Sequence, residues 1–591
     1  MDAASAISSI QSLQSSLTVL TALQFTSYQY PQTASYDIDL KFDYVVVGGG
    51  TAGSVLAARL TEDPGVTVAL IEAGGDPQVE SELPGLFPLT VKMDYDYNFL
   101  AENDNLTCQH TTKKAPQLTA GKLLGGTSAL NHMNFFRGNP QDYSYWAKVA
   151  GDDSWTYDNL LPYFIKMEKI EDSEVLNSAT ANLHGTEGPI SLTREPNALN
   201  TNYIKSMEEI GFEYKLDLSA NTTIGVTDTF MMISSQKGVR QETAKCYLRA
   251  DKVKSRKNLY VYKKTVVTKI IFDDDKNAIG VEALTSENQT VTFNVKKEVI
   301  VSAGAIKSPQ LLMLSGIGPQ THLKKFNISV ISDLPVGLNL RDRVAVALAY
   351  KMQASKATIP PANPHKYPVP ITFGFKALDE SQTVPDFQAI NLVFPHDQQG
   401  LIQVSSFVFK YENAVTDKFI EANTGHELYM AILNSGKPKS TGEVLLKSSN
   451  PFDQPEIHLG LFSESSDIDD MGNYLKYFAK MGETSHFKDV GAEFVKLDLP
   501  ECENLEFGSL DYWKCYAVSM SSPYWQVMST CSMGSVVDSE LKVKGVQNLR
   551  VVDASVLPYF TSGEPMPAVV VVAERAADLI KQSHSKNRKR E

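Results

Sequence analysis

Apolar and polar positions along the chain arrange into three widely separated blocks of strand-then-helix character. The first is a β-branched run, Tyr44-Val45-Val46-Val47, followed by Gly48-Gly49-Gly50 and a helical pattern through Leu60. A second apolar run over 66–71 completes it and ends on Glu72. Unbroken runs of this kind read as parallel strands buried on both faces. The second block carries strand-like runs over 258–262, 267–272 and 298–304. Its helix is predicted to start at Ser308 as N-cap with Pro309 in the first position, and to stop at Ser315-Gly316. The third block is a strand-like run over 549–555 and a terminal helix over 568–580. The stretches between them are richer in proline and less periodic, as in Ile359-Pro360-Pro361-Ala362-Asn363-Pro364. This pattern predicts an α/β chain in which one nucleotide-binding domain is assembled from discontinuous pieces and a separate domain faces the substrate.

The glycine positions give the first block its chemistry. Gly48 permits the tight turn after the strand, Gly50 lets backbone approach a pyrophosphate at the helix N-terminus, and Gly53 lets helix and strand pack closely. Glu72, at the end of the second strand, stands where an acid holds a ribose hydroxyl pair. Strand, turn, helix and acid in this order predict an adenosine-containing dinucleotide as ligand.

At 591 residues with 42% hydrophobic content, the chain is long enough for two large domains. A formal charge of −14 argues against nucleic acid, which is bound through clustered Lys and Arg. The one basic cluster, 586–590, reads as a solvated tail. Cys108, Cys246, Cys502, Cys515 and Cys531 lack the spacing of a metal site, so no metal is expected. Cys502 and Cys515 bracket a short polar loop and are either a disulfide or two thiols. Sequons at Asn105, Asn221, Asn288 and Asn327 permit a secreted location without requiring it. The first forty residues contain no Lys or Arg, and Ile7, Ile10, Leu13, Leu17 and Leu20 fall at helical spacing. They fit either a cleaved leader or a retained amphipathic helix, and no run reaches the length of a membrane span. Secretion is slightly favoured, with a cytoplasmic location still open.

Two further stretches carry a resemblance. They are Gly121-Lys122-Leu123-Leu124-Gly125-Gly126-Thr127-Ser128-Ala129-Leu130-Asn131 with Phe136-Arg137-Gly138-Asn139-Pro140, and Gly304-Ala305-Ile306-Lys307-Ser308-Pro309 through Gly318. With Pro438-Lys439-Ser440-Thr441-Gly442 and Thr530-Cys531-Ser532-Met533-Gly534, they make the chain similar, over roughly residues 40–580, to the glucose-methanol-choline flavin oxidoreductases. Glu503-Asn504-Leu505 and Tyr512-Trp513-Lys514-Cys515 resemble the insect branch that contains glucose dehydrogenase and ecdysone oxidase. The resemblance implies FAD, a discontinuous Rossmann-like FAD-binding domain and a substrate domain with an antiparallel sheet. The expected division is a leader or amphipathic helix over 1–40 and a mostly FAD-binding region over 41–340 with substrate-domain insertions. A mostly substrate-binding region over 341–540, a return to the FAD domain over 541–580 and a tail over 581–591 complete it. Gly48, Gly50, Thr51, Ala52, Gly53 and Glu72 would hold the ADP part of FAD, and Val267 would lie by the adenine. Gly125, Gly126, Thr127 and Asn131 would line pyrophosphate and isoalloxazine, with Asp553 and Ala554 closing the site. Some members link FAD covalently through a His in this turn; Leu130 stands there instead, so the resemblance implies non-covalent FAD. His132, close by, reads as a packing residue.

The family oxidises alcohols by passing hydride to flavin while a side chain takes the hydroxyl proton. The usual proton acceptor is a His upstream of the Thr-Cys-x-Met-Gly motif, where this chain has Gln526, an amide that orients but accepts no proton. The second family position, His or Asn after a glycine before the terminal helix, is Glu564. The family's Asp-His pair after Asn339-Leu340-Arg341 is Asp342-Arg343. Glu564 admits three readings: a cap for the helix that follows, a substitute base, or a part of other chemistry such as a lyase. Two functions therefore stand side by side. One is an FAD-dependent oxidoreductase acting on a sugar- or steroid-like alcohol with oxygen or a quinone as acceptor; the other is a flavin-containing binding protein without turnover.

Overall fold

The computed structural model describes residues 29–588 except 38, 195, 220–222, 229, 254, 355–362 and 399. The expectations for the leader positions Ile7 to Leu20, for Asn221 and for most of the 359–364 proline stretch lie outside the described residues, as does the end of the basic cluster.

The first block folds into β1 (Lys41–Val47), α1 (Thr51–Leu60) and β2 (Val68–Ile71). The second supplies β3 (Leu259–Tyr262), β4 (Val266–Phe272), β5 (Ala278–Leu284), β6 (Thr290–Val301) and α2 (Gly304–Leu314). Their sheet runs β4-β5-β6-β1-β2-β3, and the short Leu549–Val551 strand of the third block pairs with β6. The pairs among β6, β1, β2, β3 and Leu549–Val551 are parallel, whereas β4 and β5 form an antiparallel extension. The length of β6 makes this possible: its first half pairs with β5 and its second half with β1 and the closing strand. Val45, Val46, Val299 and Ile300 are fully buried, as the unbroken apolar runs require.

A second sheet is antiparallel at its centre: β7 (Val344–Gln353), β8 (Ile371–Lys376), β9 (Phe387–Phe394) and β10 (His426–Ser435) stand in the order β7-β10-β9-β8. Gly225–Thr227 extends it beyond β8, so a segment preceding β3 crosses into the second sheet. Every residue of β8 and β9 is buried, which places cover on both faces. Ser521–Pro523 pairs with β7 opposite Val344–Val346, and this register delivers Tyr524, Trp525 and Gln526 beside Arg343.

The terminal helix, α3 (Pro565–Arg588), is longer at both ends than the pattern predicts. It is clamped to α1 by Arg59, whose Nε and Nη2 donate to the fully buried Glu574 at 2.8–3.0 Å. That clamp holds α3, whose first residue follows Glu564, against α1.

The predicted start of α2 is wrong. The helix begins at Gly304, and Pro309 lies inside it. A proline there leaves the carbonyl four residues back without its amide. Thr530 Oγ1 donates to that carbonyl, Ala305 O, at 2.6 Å. Ser308, instead of capping, donates from Oγ to Asp553 Oδ2 at 2.6 Å and accepts from Ala303 N at 3.0 Å.

Cys502 and Cys515 are disulfide-bonded, with Cα atoms 5.8 Å apart. Cys108, Cys246 and Cys531 are free and buried.

Candidate active site

One cavity runs from the β1–α1 turn to the edge of the second sheet. Its wall includes Gly48, Gly50, Thr51, Ala52, Glu72, Gly126, Thr127, Asn131, Val267, Asp553 and Ala554 at one end, and Gln526 and Glu564 at the other. Segments distant in the chain thus meet at one site.

At the glycine turn, Gly48 has a φ of 98°, and a Cβ there would lie 2.5 Å from Ser302 O. Gly53 is excluded from larger side chains still more firmly, since its Cβ would meet Gly48 O at 1.9 Å. Gly50 differs: an added Cβ would find nothing nearer than Gly126 Cα at 3.7 Å. The space in front of Gly50 belongs to the cavity, at the start of a helix whose first turn no side chain caps. This is the cradle a pyrophosphate requires. Gly53 and Gly125 are not part of the cavity wall. Gly53 sets the α1–β1 approach, and Gly125 is a left-handed turn residue whose N–H donates to Gly49 O at 2.8 Å.

Glu72 accepts from Gly49 N and Gly74 N, both at 2.8 Å. Burial raises its pKa to about 7 against the pull of those amides. Asn131 Oδ1 accepts from Arg240 Nη1 at 2.8 Å, and Asp553 holds Gly304 N at 2.8 Å. Lys307, on the first turns of α2, also lines the cavity. Its Nζ donates to Gln310 Oε1 at 2.7 Å and lies over the Tyr97 and Phe99 rings. Burial, with Lys122 as neighbour, lowers its pKa to about 8. An open backbone turn, a buried acid and a cation fit the ADP half of a dinucleotide.

At the other end, Gln526 is held from three sides. Its backbone N–H donates to Asp342 Oδ1 at 2.8 Å, and its Oε1 accepts from Arg343 Nη1 at 2.9 Å. Its Nε2 donates to Glu564 Oε2 at 2.5 Å. Glu564 Oε1 takes longer contacts, 3.3 Å from Gln388 Nε2 and 3.4 Å from the Tyr524 hydroxyl. Glu564 is only 9% exposed, and its carboxylate's hydrogen bonds go to Gln526 and Tyr524 on the cavity wall and to Gln388 behind it. Burial raises its proton affinity above the ordinary carboxylate value, the Arg343 charge opposing. The Arg343 guanidinium, itself lowered by burial, also donates to Thr561 O and to Gly563 O, the latter at 3.3 Å. Ser562 N and Oγ bond Asp142, so the segment leading to Glu564 is pinned on both sides.

The sequence does not point to Gln388. It is the second residue of β9, opposite Asn434 of β10, and the two amides bond at 2.7 Å. β9 also carries the buried Asn391, so a polar residue in the strand does not by itself single out Gln388. Trp525 has a φ of 57°, a strained value for a bulky side chain, and is anchored by Nε1 donating to Gln117 O at 3.1 Å. His132 is a half-buried wall residue, neutral because desolvation pulls its pKa to about 4.

With this geometry in view, comparison with known proteins is informative. The family models described as GMC oxidoreductase match residues 42–345 and 438–573. The chain is 35% identical over 578 residues to the ecdysone oxidase of Bombyx mori, covering 95% of this chain and 84% of that protein. It is 32% identical over 564 residues to the glucose dehydrogenase (FAD, quinone) of Drosophila pseudoobscura pseudoobscura, covering 92% and 87%. Among solved structures, pyridoxine 4-oxidase from Mesorbium loti aligns with a TM-score of 0.77 at 25% identity, over 92% of this chain and 99% of that one.

Proposed function

Since the chain belongs to the GMC oxidoreductase family, we propose that it is an FAD-dependent oxidoreductase acting on the CH–OH group of an alcohol, with oxygen or a quinone as final acceptor. The residues around Gly50 fit the diphosphate, and Glu72 fits the ribose. Leu130 at the position of covalent attachment means that FAD is held non-covalently. Bound FAD supplies the two-electron acceptor for the hydride that leaves the carbinol carbon.

The chain's own task is then the hydroxyl proton. An alcohol is a poor hydride donor until that proton is taken. Gln526 takes none, so the role falls to Glu564, whose burial makes it a stronger base than an exposed carboxylate. Gln526 holds Oε2 of that carboxylate and leaves the loosely bonded Oε1 for the substrate hydroxyl. Arg343, acting through the Gln526 amide, keeps the donor end of that amide turned to Glu564. The single observation carrying this reading is the Gln526–Glu564 hydrogen bond on the cavity wall. A carboxylate engaged there serves as a base in the site, not as a cap for α3.

The Cys502–Cys515 disulfide and the exposed sequons at Asn105 and Asn288 support an extracellular location. No described helix is long and apolar enough to cross a membrane.

The test is anaerobic mixing of the purified yellow protein with a panel of alcohols. Bleaching of the flavin absorption by at least one alcohol is expected. A panel that leaves the flavin oxidised, while Gln526→His with Glu564→Asn restores bleaching, would show a binding protein derived from an oxidase.

A further inference from the structure

Beside the Gln526 end of the main cavity lies a second, narrower one. The two share Phe87, His132, Asn134, Val408, Tyr524 and Trp525. Beyond these, the wall is built from Val369, Ile371, Ile390, Leu392, Phe409 and Ile432. Three strands of the antiparallel sheet, β8, β9 and β10, contribute Ile371, Ile390, Leu392 and Ile432, so this side of the wall is part of a rigid element, while Val369 and Phe409 come from outside those strands.

Among the described residues, no charged side chain lines this cavity. Its polar members are few, and one of them, Asn134, has a buried Oδ1 without a hydrogen-bond partner. The His132 ring packs against Phe87 at 4.8 Å and Trp525 at 6.2 Å, and Tyr367 stacks on Phe87 at 5.2 Å. The Tyr524 hydroxyl faces Gln388 and Glu564. Asn134 and Gln403 are the remaining amides. A sugar carries a hydroxyl on nearly every carbon. Each one entering such a wall without a partner loses its bonds to water, at a cost of about tenfold or more in affinity. A hydrocarbon body gains from the same wall in proportion to the apolar surface it buries.

We infer that the side cavity receives the hydrocarbon body of an apolar alcohol whose carbinol is presented to Gln526 and Glu564, and that polyhydroxylated sugars are not the substrate. This rests on the flavin–alcohol reading above. The carbinol carbon loses a hydride to FAD and its oxygen a proton to Glu564, which leaves a carbonyl compound; oxygen or a quinone then takes the two electrons. The product is as apolar as the substrate and binds the same wall.

The experiment uses the holoprotein and two readouts. In anaerobic stopped flow with cyclohexanol, benzyl alcohol, 1-octanol, a sterol and glucose, the best apolar alcohol is expected to reduce the flavin with a second-order constant about 100-fold or more above glucose. Glucose outrunning every apolar alcohol overturns the inference. The second readout needs no turnover: cyclohexanone or benzaldehyde should perturb the flavin spectrum saturably, and gluconolactone should not. The reverse order, or no response to either, also overturns it. Should no alcohol reduce the flavin while cyclohexanone still binds selectively, the oxidoreductase reading falls and the apolar cavity stands. In Ile432→Asn, half-saturation by the best alcohol should rise about tenfold with the limiting reduction rate unchanged. An unchanged half-saturation in a folded, FAD-loaded variant excludes this wall as the binding site.

Discussion

The side-chain amide of Gln526 gives a hydrogen bond from Nε2 to Oε2 of Glu564 at 2.5 Å while its own oxygen takes one from Arg343 at 2.9 Å. The order of charges fixes the amide: its acceptor must face the guanidinium and its donor the carboxylate. The arrangement therefore favours an ionised Glu564 in a place where burial favours the neutral form. A carboxylate caught between those tendencies is suited to take a proton and release it.

Glu564→Gln should lower the anaerobic flavin-reduction rate by about 10²- to 10⁴-fold with flavin content retained. Glu564→Asp, which keeps the acid and shortens its reach, should retain part of the rate. The wild-type rate should fall as pH drops through the Glu564 pKa, at a value above the ordinary carboxylate range because burial raises it. Stopped-flow traces across pH check both statements. A Glu564→Gln protein reducing flavin at the wild-type rate removes Glu564 as the base.

The same substitution should make the protein more stable, not less. The folded-state pKa of Glu564 lies above the unfolded value near 4.5. The folded state therefore holds the proton more tightly, and stability is lost as pH rises from the unfolded pKa through the folded one. An amide in this place carries no such loss, and its oxygen still accepts from Gln526. Thermal midpoints of wild type and Glu564→Gln should coincide at acid pH and separate in favour of the variant as pH rises.

Much of this was readable in the chain before any fold was known, and for a physical reason. The turn from Gly48 to Gly53 and the strand leading to Glu72 are local: backbone conformation, strand burial and helix start are decided within a few residues. Gln526 and Glu564 were marked by their places in local motifs, but their contact was not. It depends on the pairing of Ser521–Pro523 with β7 and on the Arg59–Glu574 clamp, which are set by residues far apart. Gln388 was invisible because its role follows from the β9–β10 register. Gly53 packs α1 against the turn after β1, the role its place in the motif gives it, whereas Gly125, expected along the pyrophosphate and isoalloxazine, lies outside the cavity wall and bonds Gly49. The start of α2 was misplaced because Ser308-Pro309 has the chemistry of a helix N-terminus and only a distant hydroxyl makes an interior proline tolerable.

Lys307 should matter to the cofactor through charge. It is half-buried on the cavity wall with a neutral amide and two aromatic rings for partners, and Lys122 adds to the positive field. A diphosphate entering the cavity supplies the missing counter-charge. In Lys307→Gln, ADP binding to the apoprotein should weaken by about tenfold at low salt, the gap narrowing as salt rises. Adenosine, which has no phosphate, should bind both proteins alike. Equal losses for ADP and adenosine in a calorimetric titration would point to packing instead.

Thr530 and Pro309 should be coupled, because one repairs what the other breaks. Pro309 denies Ala305 O its helical partner, and Thr530 Oγ1 takes that place at 2.6 Å in a fully buried setting. Thr530→Val leaves the carbonyl unpaired and should cost about 1–3 kcal/mol of stability. Pro309→Ala restores an amide at the right position, so Thr530→Val on that background should cost less by about 1 kcal/mol or more. Denaturation midpoints of wild type, the two single variants and the double variant give the coupling directly. If the Thr530→Val penalty is the same with Pro309 and with Ala at that position, the hydroxyl is not what satisfies Ala305, and the tolerance of a proline inside α2 needs another cause.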